Sequence, residues 1–328
     1  MENIIEPIDS ELIIKELTYE KLLRHANKGD NELYIVDAFN SPNTMREIGR
    51  LREIAFREAG GGTGLPCDID EFDTMTTPCR QLIVWDPANK KIAGGYRFIL
   101  GEDITFKDGV PNIATAHMFA FSDRFINELL PVTLELGRSF VATEYQSTRS
   151  NPKALYILDN LWDGLGALTV VYPQIEYLFG KVTMYPAFGM GCRDMLLGFL
   201  HKHFQDPERL VWPIDELPSN AKSPEIQGLF TGNSYKEDYK ILNHAVREQG
   251  RNIPPLVNAY MSLSPTMKVF GTAINHEFGE VEETGIFLKI SEILEEKKMR
   301  HIETFLNNGG FSEMMANQAP QHPMTDNA

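Results

Sequence analysis

Four short motifs in the first half of the chain place charged side chains inside or beside otherwise apolar segments. They are Arg52-x-x-x-Phe56, Asp70-Glu-Phe-Asp73, Gly94-Gly-Tyr-Arg97 and Glu135-x-x-Arg138. Charged side chains are rarely buried without partners, because each loses several kcal/mol of hydration. The motifs supply comparable acid and base, so the sequence predicts one mutually paired network around a cleft. Such clusters are where functional pKa shifts tend to occur, so this network is the feature on which the functional interpretation rests.

The composition is that of an acidic globular protein, with 328 residues, a net charge of −15 and 42% hydrophobic residues. This charge argues against nonspecific nucleic-acid binding, which needs a basic surface. Cys67, Cys79 and Cys192 are too scattered for a disulfide framework or a zinc site, and no metal is expected. The sequence contains neither the roughly 20 apolar residues of a membrane-spanning helix nor a secretory signal. We therefore expect a cytoplasmic protein.

The elements that must position these motifs alternate between helical and strand patterns. A helix is predicted between Ser41, a candidate N-cap, and Gly60, and the glycines that follow, to Gly64, predict a mobile loop. Residues 80–86 and 91–100 predict a hairpin, because a turn-like PANK segment separates them. Further strands are predicted at 34–40, 114–121, 134–142, 175–185 and 285–290, and further helices at 153–172, 191–204 and, in part, 253–271.

This order predicts an α/β fold, with a mixed central sheet flanked by helices and an elaborated C-terminal part. The predicted organisation is a core over residues 1–205 and an extension over 206–304 that packs on this core. The polar segment 305–328 is expected to be a disordered tail.

The four motifs occur together with Glu135-Leu-Gly-Arg-Ser139, Leu178-Phe-Gly180 and Pro254-Pro-Leu-x-x-x-Tyr260. In this combination they resemble the ornithine lipid and glycine lipid N-acyltransferases, which are often called hemolysin-like. The resemblance covers roughly residues 45–290. The acyl-homoserine-lactone synthases are more distantly similar, with the same series of charged motifs. Both families are relatives of the GNAT acyltransferases, so the resemblance implies a GNAT-like sheet.

The implied reaction moves an acyl or 3-hydroxyacyl group from acyl carrier protein to the α-amine of an amino acid, of the glycine or ornithine type. The product would be an N-acyl amino acid, the lyso precursor of an aminolipid. The amine must lose a proton before it attacks, and a carboxylate within reach can take that proton. Glu135 is the first candidate, with an ordinary ion pair to Arg138 as the alternative. His117 is a second candidate base, or a hydrogen-bonded core histidine.

Asp70 and Asp73 are expected to pair with Arg52, Arg97 or Arg138 and to close over the acceptor amine. A solvated acidic loop is the alternative. An arginine binds carboxylates through two parallel hydrogen bonds, so Arg97 and Arg52 suit either these acids or the carboxylate of the acceptor. We favour the acids, because the motifs supply them nearby.

The donor implied by the resemblance is the acyl-phosphopantetheine of acyl carrier protein, with acyl-CoA as an alternative and no permanently bound cofactor. Gly189, Gly191 and Arg193 open a predicted helix and match the coenzyme-A-binding loop of GNAT proteins in part. Backbone amides at a helix N-terminus attract phosphate. These residues are expected to approach the phosphopantetheine, with a simple glycine turn as the alternative.

Docking of the acidic carrier protein requires a local basic patch on this acidic chain. The candidate docking cations are Arg149, Lys153, Lys181, Arg193, Lys202 and His203.

Leu158, Leu161 and Leu165 on the 153–172 helix line either an acyl tunnel or an ordinary core. Since the product is a lipid, peripheral contact with the inner membrane face is also expected.

Two other functions stay open at this point. A signal synthase similar to the acyl-homoserine-lactone enzymes would consume S-adenosylmethionine, but the length of this chain and its Pro-Pro-Leu segment weaken that alternative. A non-catalytic protein would bind acyl carrier protein or lipid without turnover.

Overall fold

The computed structural model describes residues 1–147, 154–307, 309, 310, 312, 314 and 315. The strands are β1 (Leu22–His25), β2 (Glu32–Val36), β3 (Arg80–Asp86), β4 (Lys91–Leu100), β5 (Phe106–Lys107), β6 (Val110–Pro111), β7 (Phe119–Phe121), β8 (Thr133–Val141), β9 (Tyr177–Met184), β10 (Val211–Pro213), β11 (Lys268–Asn275) and β12 (Val281–Lys289). The α-helices are α1 (Ser10–Glu16), α2 (Pro42–Ala59), α3 (Glu71–Thr74), α4 (Ala154–Val171), α5 (Met190–Phe204), α6 (Pro224–Leu229), α7 (Tyr235–Glu248), α8 (Pro255–Met261), α9 (Glu295–Lys298) and α10 (Thr304–Asn307).

Eight of these strands form one mixed sheet in the order β1-β2-β3-β4-β8-β9-β12-β11. The β8–β9 pair is parallel, whereas the pairs on either side of it, β4–β8 and β9–β12, are antiparallel. The predicted hairpin of β3 and β4 pairs as expected. This mixed α/β sheet with flanking helices confirms the predicted fold class.

Helix α2 begins and ends where the sequence predicts, but its N-terminus is capped differently. The backbone N–H groups of Asn43 and Thr44 donate to the carboxylate of Glu16, at 3.0 and 2.7 Å, where Ser41 was the candidate cap. A carboxylate at this end also interacts favourably with the helix dipole. Gly60 ends the helix with a φ of 97°, a left-handed conformation that glycine adopts without steric cost.

The glycine-rich segment after α2 is tied to the buried carboxylate of Glu53. The backbone N–H groups of Thr63 and Gly64 donate to this carboxylate at 3.0 and 2.7 Å, and Arg57 pairs with it at 2.6 Å. Burial alone would raise the pKa of Glu53, but these hydrogen bonds hold the pKa below its ordinary value. The segment expected to be a mobile loop is therefore anchored at several points.

The apolar side chains of α4 differ in burial, which bears on the two interpretations of this helix, an acyl tunnel lining or an ordinary core. Leu161 and Leu165 are buried in the main core, against the sheet. Leu158 is only partly buried, so it alone of the three candidate tunnel residues meets open space. A second cluster, on strands β7, β9, β11 and β12, packs Phe119, Phe179, Phe270 and Phe287 together.

Two segments of the chain differ from the sequence prediction. Residues 114–121 form a 3-10 helix, Ala114–His117, followed by the short β7, and not one continuous strand. Strand β11 was not predicted, although the 253–271 segment contains the helix α8 as expected. β11 and β12 complete the main sheet, and the domain boundaries stay a prediction.

Phe305 and Met314 are buried against the main core, while residues 316–328 of the predicted tail lie outside the described residues. Within the described ranges, no helix is both long enough and apolar enough to cross a membrane.

Candidate active site

The two parallel strands at the centre of the sheet separate halfway along their length. β8 pairs with β9 from Thr133 opposite Tyr177 to Leu136 opposite Gly180, and their ladder ends there in the described structure. On their outer edges both strands stay paired beyond this point, β8 with β4 and β9 with β12. The inner edges of residues 137–141 and 181–184 therefore face a gap between the strands.

This gap opens into a cleft of about 520 Å³. Its lining divides into an apolar part and a charged part, because successive side chains of a strand point to opposite faces of the sheet. The apolar part is supplied by the side of the sheet near α4 and α8, and the charged part by the other face. The apolar part includes Tyr96, Leu136, Leu158, Leu256 and Tyr260, and the charged part Arg138, Lys181 and Glu283.

Next to the cleft, the structure brings Arg97, Asp70 and Asp73 together. Arg97 Nη1 donates to both carboxylate oxygens of Asp70, at 2.6 and 2.7 Å, and lies 3.4 Å from Asp73 Oδ2. Asp70 and Asp73 also form a reciprocal capping box at the start of α3, where each side chain accepts a backbone N–H from the other residue. The acidic motif is thus ordered by both arginine and its own backbone.

Arg52 binds the same group from helix α2. Its Nη1 donates to Asp73 Oδ2 at 3.1 Å, and its Nη2 donates to the side-chain oxygen of Gln81. Gln81 Nε2 in turn donates to Asp73 Oδ1 at 2.9 Å. Gln81, which the motif analysis missed, completes a closed ring of buried partners, and such a ring satisfies charges that burial would otherwise destabilise.

Arg138 connects this network to the cleft. Its φ of 47° lies in the left-handed region, uncommon for a residue with a side chain, and it stands at an irregularity in the β4–β8 pairing. Its Nε lies 2.9 Å from Asp68 Oδ2 and its Nη2 lies 3.4 Å from Asp70 Oδ2. The guanidinium also lies over the ring of Phe278, 4.4 Å from its centre.

The two aspartates that bind Arg138 have pKa values displaced in opposite directions. Burial raises the pKa of Asp68, even though the charges of Arg138 and Arg52 oppose this rise. Burial would also raise the pKa of Asp70, but the charge and hydrogen bonds of Arg97 hold it well below its usual range. Such opposed displacements are typical of sites that hold and release protons.

Glu135 lies behind the cleft and not in its lining. Its side chain is 3% exposed, and Thr115 Oγ1 donates to its carboxylate at 2.7 Å. Burial raises the pKa of Glu135, against the hydrogen bond from Thr115 and the charge of Arg97. Arg138 pairs with Asp68 and Asp70, so the alternative interpretation, a local ion pair between Glu135 and Arg138, does not describe the partners of Arg138.

His117 and the glycine turn before α5 lie away from the cleft lining. His117 is about half exposed, with its Nδ1 3.7 Å from Glu277 Oε2. Gly189 has a φ of 85° and caps α5, and a side chain built there would meet nothing within 4 Å. Arg193 is committed to Asp194 and Glu282, its nitrogens lying 2.8 and 2.6 Å from their oxygens.

The other candidate docking cations are also paired. Lys202 and His203 both bind Asp238, at 2.7 and 2.9 Å. Lys181 lies inside the cleft, in an ion pair with Glu283. Arg149 and Lys153 lie outside the described residues. Each of the four described candidate cations therefore already has an acidic partner, and the basic docking patch stays a prediction.

The pair of Lys181 and Glu283 is the feature of the cleft that motif reasoning missed. The side chains are 10% and 3% exposed, and Asn275 Nδ2 donates to Glu283 Oε1 at 3.1 Å. Burial lowers the pKa of Lys181, and it raises the pKa of Tyr185, which also lines the cleft, to about 12. A signal was present for Lys181, which interrupts the apolar run of the strand predicted at 175–185, but Glu283 follows Glu282 just before the strand predicted at 285–290. Among the described residues there is no cluster suited to a metal ion.

A parallel strand pair that separates over a cleft, within a mixed sheet flanked by helices, is the arrangement of the GNAT fold. Residues 51–154 match the Acetyltransferase (GNAT) domain family. The chain is 60% identical over 309 residues to a glycine N(alpha)-acyltransferase of Bacteroides thetaiotaomicron, covering 94% of this chain and 92% of that protein. It is 56% identical to the protein of the same name from Phocaeicola vulgatus, covering 99% of each.

The chain therefore belongs to the amino-acid N(alpha)-acyltransferase family of these relatives, and it is an N-acyltransferase. An L-ornithine N(alpha)-acyltransferase of Brucella abortus is 26% identical, over 66% of this chain and 68% of that protein. The crystal structure of the AHL synthase LasI aligns with a TM-score of 0.30 and 15% identity, over 48% of this chain and 74% of that one. Family membership confirms the resemblance seen in the sequence and favours an enzyme over a non-catalytic binding protein.

Proposed function

We propose that this protein transfers an acyl or 3-hydroxyacyl group from the thioester of acyl carrier protein to the α-amine of glycine. The product is an N-acylglycine, the lyso form of an aminolipid. The observation that carries the proposal is the cleft between β8 and β9, because it joins an apolar lining to a charged one. An acyl chain needs the first, and a charged amino acid needs the second.

The separated strands are suited to hold the donor. Residues 137–141 and 181–184 leave their inner edges unpaired within the described sheet, and an extended segment with amide groups binds such an edge as an added strand. The amides of a phosphopantetheine arm provide such a segment. The thioester carbonyl then lies near backbone N–H donors of β8, which stabilise the negative charge that develops on its oxygen. The acyl chain extends toward Leu158 and Tyr260.

Glycine is the proposed acceptor because the two relatives with high identity carry that name. The network of Arg52, Asp73, Arg97 and Asp70 holds Arg138 at the cleft. A carboxylate takes the proton of the acceptor, as the chemistry of amine attack requires. Glu135 behind the cleft and Glu283 inside it are the two candidates.

Two exposed arginines replace the predicted docking patch in this proposal. Arg247 and Arg251 are exposed and shortly precede Pro254 and Leu256, which line the cleft. Cations at this position attract the acidic carrier protein as its arm enters. Because the product is amphiphilic, we also propose that it leaves the protein at a membrane surface.

The test is a purified assay read by mass spectrometry, with 3-hydroxyacyl carrier protein or acyl-CoA as donor. Glycine, ornithine and S-adenosylmethionine are offered as separate acceptors. The expected product is N-acylglycine from the carrier-protein donor. N-acylornithine would correct the acceptor, product from acyl-CoA alone would correct the donor, and a lactone from S-adenosylmethionine would indicate a signal synthase. Donor binding without any product would contradict the proposal.

A further inference from the structure

The ion pair of Lys181 and Glu283 differs from the other buried pairs near the site because both of its members face the cleft. Both side chains line the cavity, and they come from neighbouring strands, β9 and β12. Lys181 stands opposite Gly285 in the register and Glu283 stands opposite Thr183, so the two charges lie diagonally on one face of the sheet. The pair thus presents one positive and one negative group to whatever enters the charged part of the cleft.

An amino acid near neutral pH carries the complementary arrangement, an ammonium and a carboxylate on adjacent groups. We propose that Lys181 binds the α-carboxylate of the acceptor, and that Glu283 binds its α-ammonium and accepts the proton from it. This inference rests on the proposed function and names the residues that recognise the acceptor. Arg138, in the same lining, adds positive charge on the side of the carboxylate.

The surroundings of the pair support these roles. Asn275 Nδ2 donates to Glu283 Oε1 at 3.1 Å and fixes the orientation of the carboxylate. Burial, together with the charge of Arg138, lowers the pKa of Lys181, and the charge of Glu283 opposes this. A second anion beside Lys181 would therefore be bound favourably. Glu135, in contrast, is held by Thr115 behind the lining.

The reaction balances without any further reagent. The α-ammonium gives one proton to Glu283, and the neutral amine attacks the carbonyl carbon of the thioester. The C–N bond forms and the C–S bond breaks, and the second proton leaving the nitrogen ends on the sulfur of the phosphopantetheine thiol. Glu283 then returns its proton to water.

The first test compares glycine with glycinamide, which keeps the amine and replaces the carboxylate by a neutral amide. In Lys181→Met, the ratio of kcat/KM for glycine to kcat/KM for glycinamide should fall about 10- to 100-fold, the value of a hydrogen bond to a charged group. Lys268→Met is the matched control. Lys268 also pairs with an acid, since its Nζ lies 3.3 Å from Asp206 Oδ1. It lies on β11, two strands away from the β9 strand of Lys181, and outside the cleft. This control variant should leave the ratio unchanged.

An unchanged ratio in Lys181→Met overturns the role of Lys181, because a merely structural lysine would lower both rates equally. If Lys181→Met does not fold, as judged by circular dichroism, the double variant Lys181→Met/Glu283→Gln removes both charges and leaves none buried alone. The same fall in the ratio is expected for it, and the same absence of a fall overturns the assignment.

The second test follows the pH dependence of kcat/KM for glycine. In the wild type the productive acceptor is the ammonium, so kcat/KM should be nearly level from neutral pH up to the ionisation of the amine. In Glu283→Gln only free amine reacts, so kcat/KM should rise about tenfold per pH unit over this range. The same level profile in both proteins overturns the role of Glu283.

These failures are distinguishable from failure of the proposed function. A wild-type protein that acylates no amine contradicts the proposed function. A wild type that acylates glycine, together with variants that keep both the acceptor ratio and the pH profile, contradicts only this inference.

Discussion

The buried charged side chains in and beside the cleft include two groups that differ in what their charges face. The network group comprises Arg52, Asp68, Asp70, Asp73, Gln81, Arg97 and Arg138, whose members bind one another. It lies beside the cleft, and only Arg138 of these residues reaches the cleft lining. The cleft pair, Lys181 and Glu283, lies in the cavity lining. A charge whose partners all lie within the protein stabilises a shape, whereas a charge pair open to a cavity is available to a substrate.

This contrast shows that the segments richest in charged motifs need not supply the side chains that contact the substrate. Most charged members of the network group are conspicuous in the sequence because they belong to the four motifs. The cleft pair consists of one charge in each of two separate strands, and neither belongs to these motifs. The structure favours the network as the scaffold that holds Arg138 and the strands, and the cleft as the place of reaction.

The largest expected effect follows from breaking the network at Arg97. Arg97→Met leaves Asp70 and Asp73 without their shared buried cation. The free energy of unfolding should fall by about 3–5 kcal/mol, as when one partner of a buried ion pair is removed. Urea denaturation measures this directly.

Lys91→Met is the control for that change, since Lys91 and Glu144 form an ion pair that is half exposed. Exposed pairs contribute little, so its denaturation midpoint should stay close to that of the wild type. Equal stability of the two variants would show that the network does not support the fold.

A change in the cleft should affect activity and leave stability intact. Leu158→Trp adds bulk to the apolar lining at a partly buried position. We expect kcat/KM for long acyl donors to fall about tenfold, and less for short ones, because the ring occupies space that the end of a long chain needs. Assays with acyl carrier proteins that carry acyl chains of increasing length measure this. An equal loss for all chain lengths would place the acyl chain elsewhere.

A smaller effect is expected at the proposed docking surface. Arg247→Glu/Arg251→Glu reverses two exposed charges, and the KM for acyl carrier protein should rise by about 3- to 10-fold at low salt. The KM for acyl-CoA should not change, and the difference should shrink in high salt as screening increases. An unchanged KM for the carrier protein would exclude these two arginines from docking.

The smallest effect on catalysis is expected for Glu135→Gln. This variant tests whether Glu135, which lies behind the lining, takes part in proton transfer. The side chain lies behind the lining, and glutamine still accepts the hydrogen bond from Thr115, so kcat/KM should fall less than about tenfold. A loss of kcat/KM close to that of Glu283→Gln, with the same change of pH profile, would show that Glu135 is the proton acceptor.

The same variant has a stability signature with a definite sign. Burial raises the folded-state pKa of Glu135 above its ordinary value of 4.5. Its contribution to stability is therefore complete below pH 4.5 and is lost as the pH rises through the folded-state pKa. Glu135→Gln lacks this loss, so its stability relative to the wild type should increase as the pH rises above 4.5. Thermal unfolding between pH 4 and 8 measures this trend.

Much of the fold is predictable from local sequence patterns. Helix α2 has a Pro after its start and Gly60 at its end, and the β3–β4 hairpin has a turn between two apolar runs. Strand β8 carries Glu135 in an apolar run, as the sequence indicates. The missed strand β11 follows a segment rich in proline and serine, where no period is strong enough to separate a strand from a helix.

The site is less predictable, because its geometry depends on strand order. Lys181 pairs with Glu283 only because β9 lies beside β12, and no local pattern specifies that neighbour. Gln81 is invisible for a similar reason, since an amide on a strand gains its role from Arg52 on a separate helix. The charged motifs correctly indicate which segments gather, but not which of their charges face open space.

The strand order of the sheet also has a consequence for how the protein is made. β9 is synthesised long before β12, its neighbour on the outer edge, and roughly 100 residues separate the ends of the two strands. At about 5–20 residues per second, the ribosome needs about 5–20 s to cover that distance. During this interval the nascent chain carries an uncovered strand edge, and Lys181 has not yet met its acid. One edge of β9 therefore stays unpaired in the nascent chain until β12 has been synthesised.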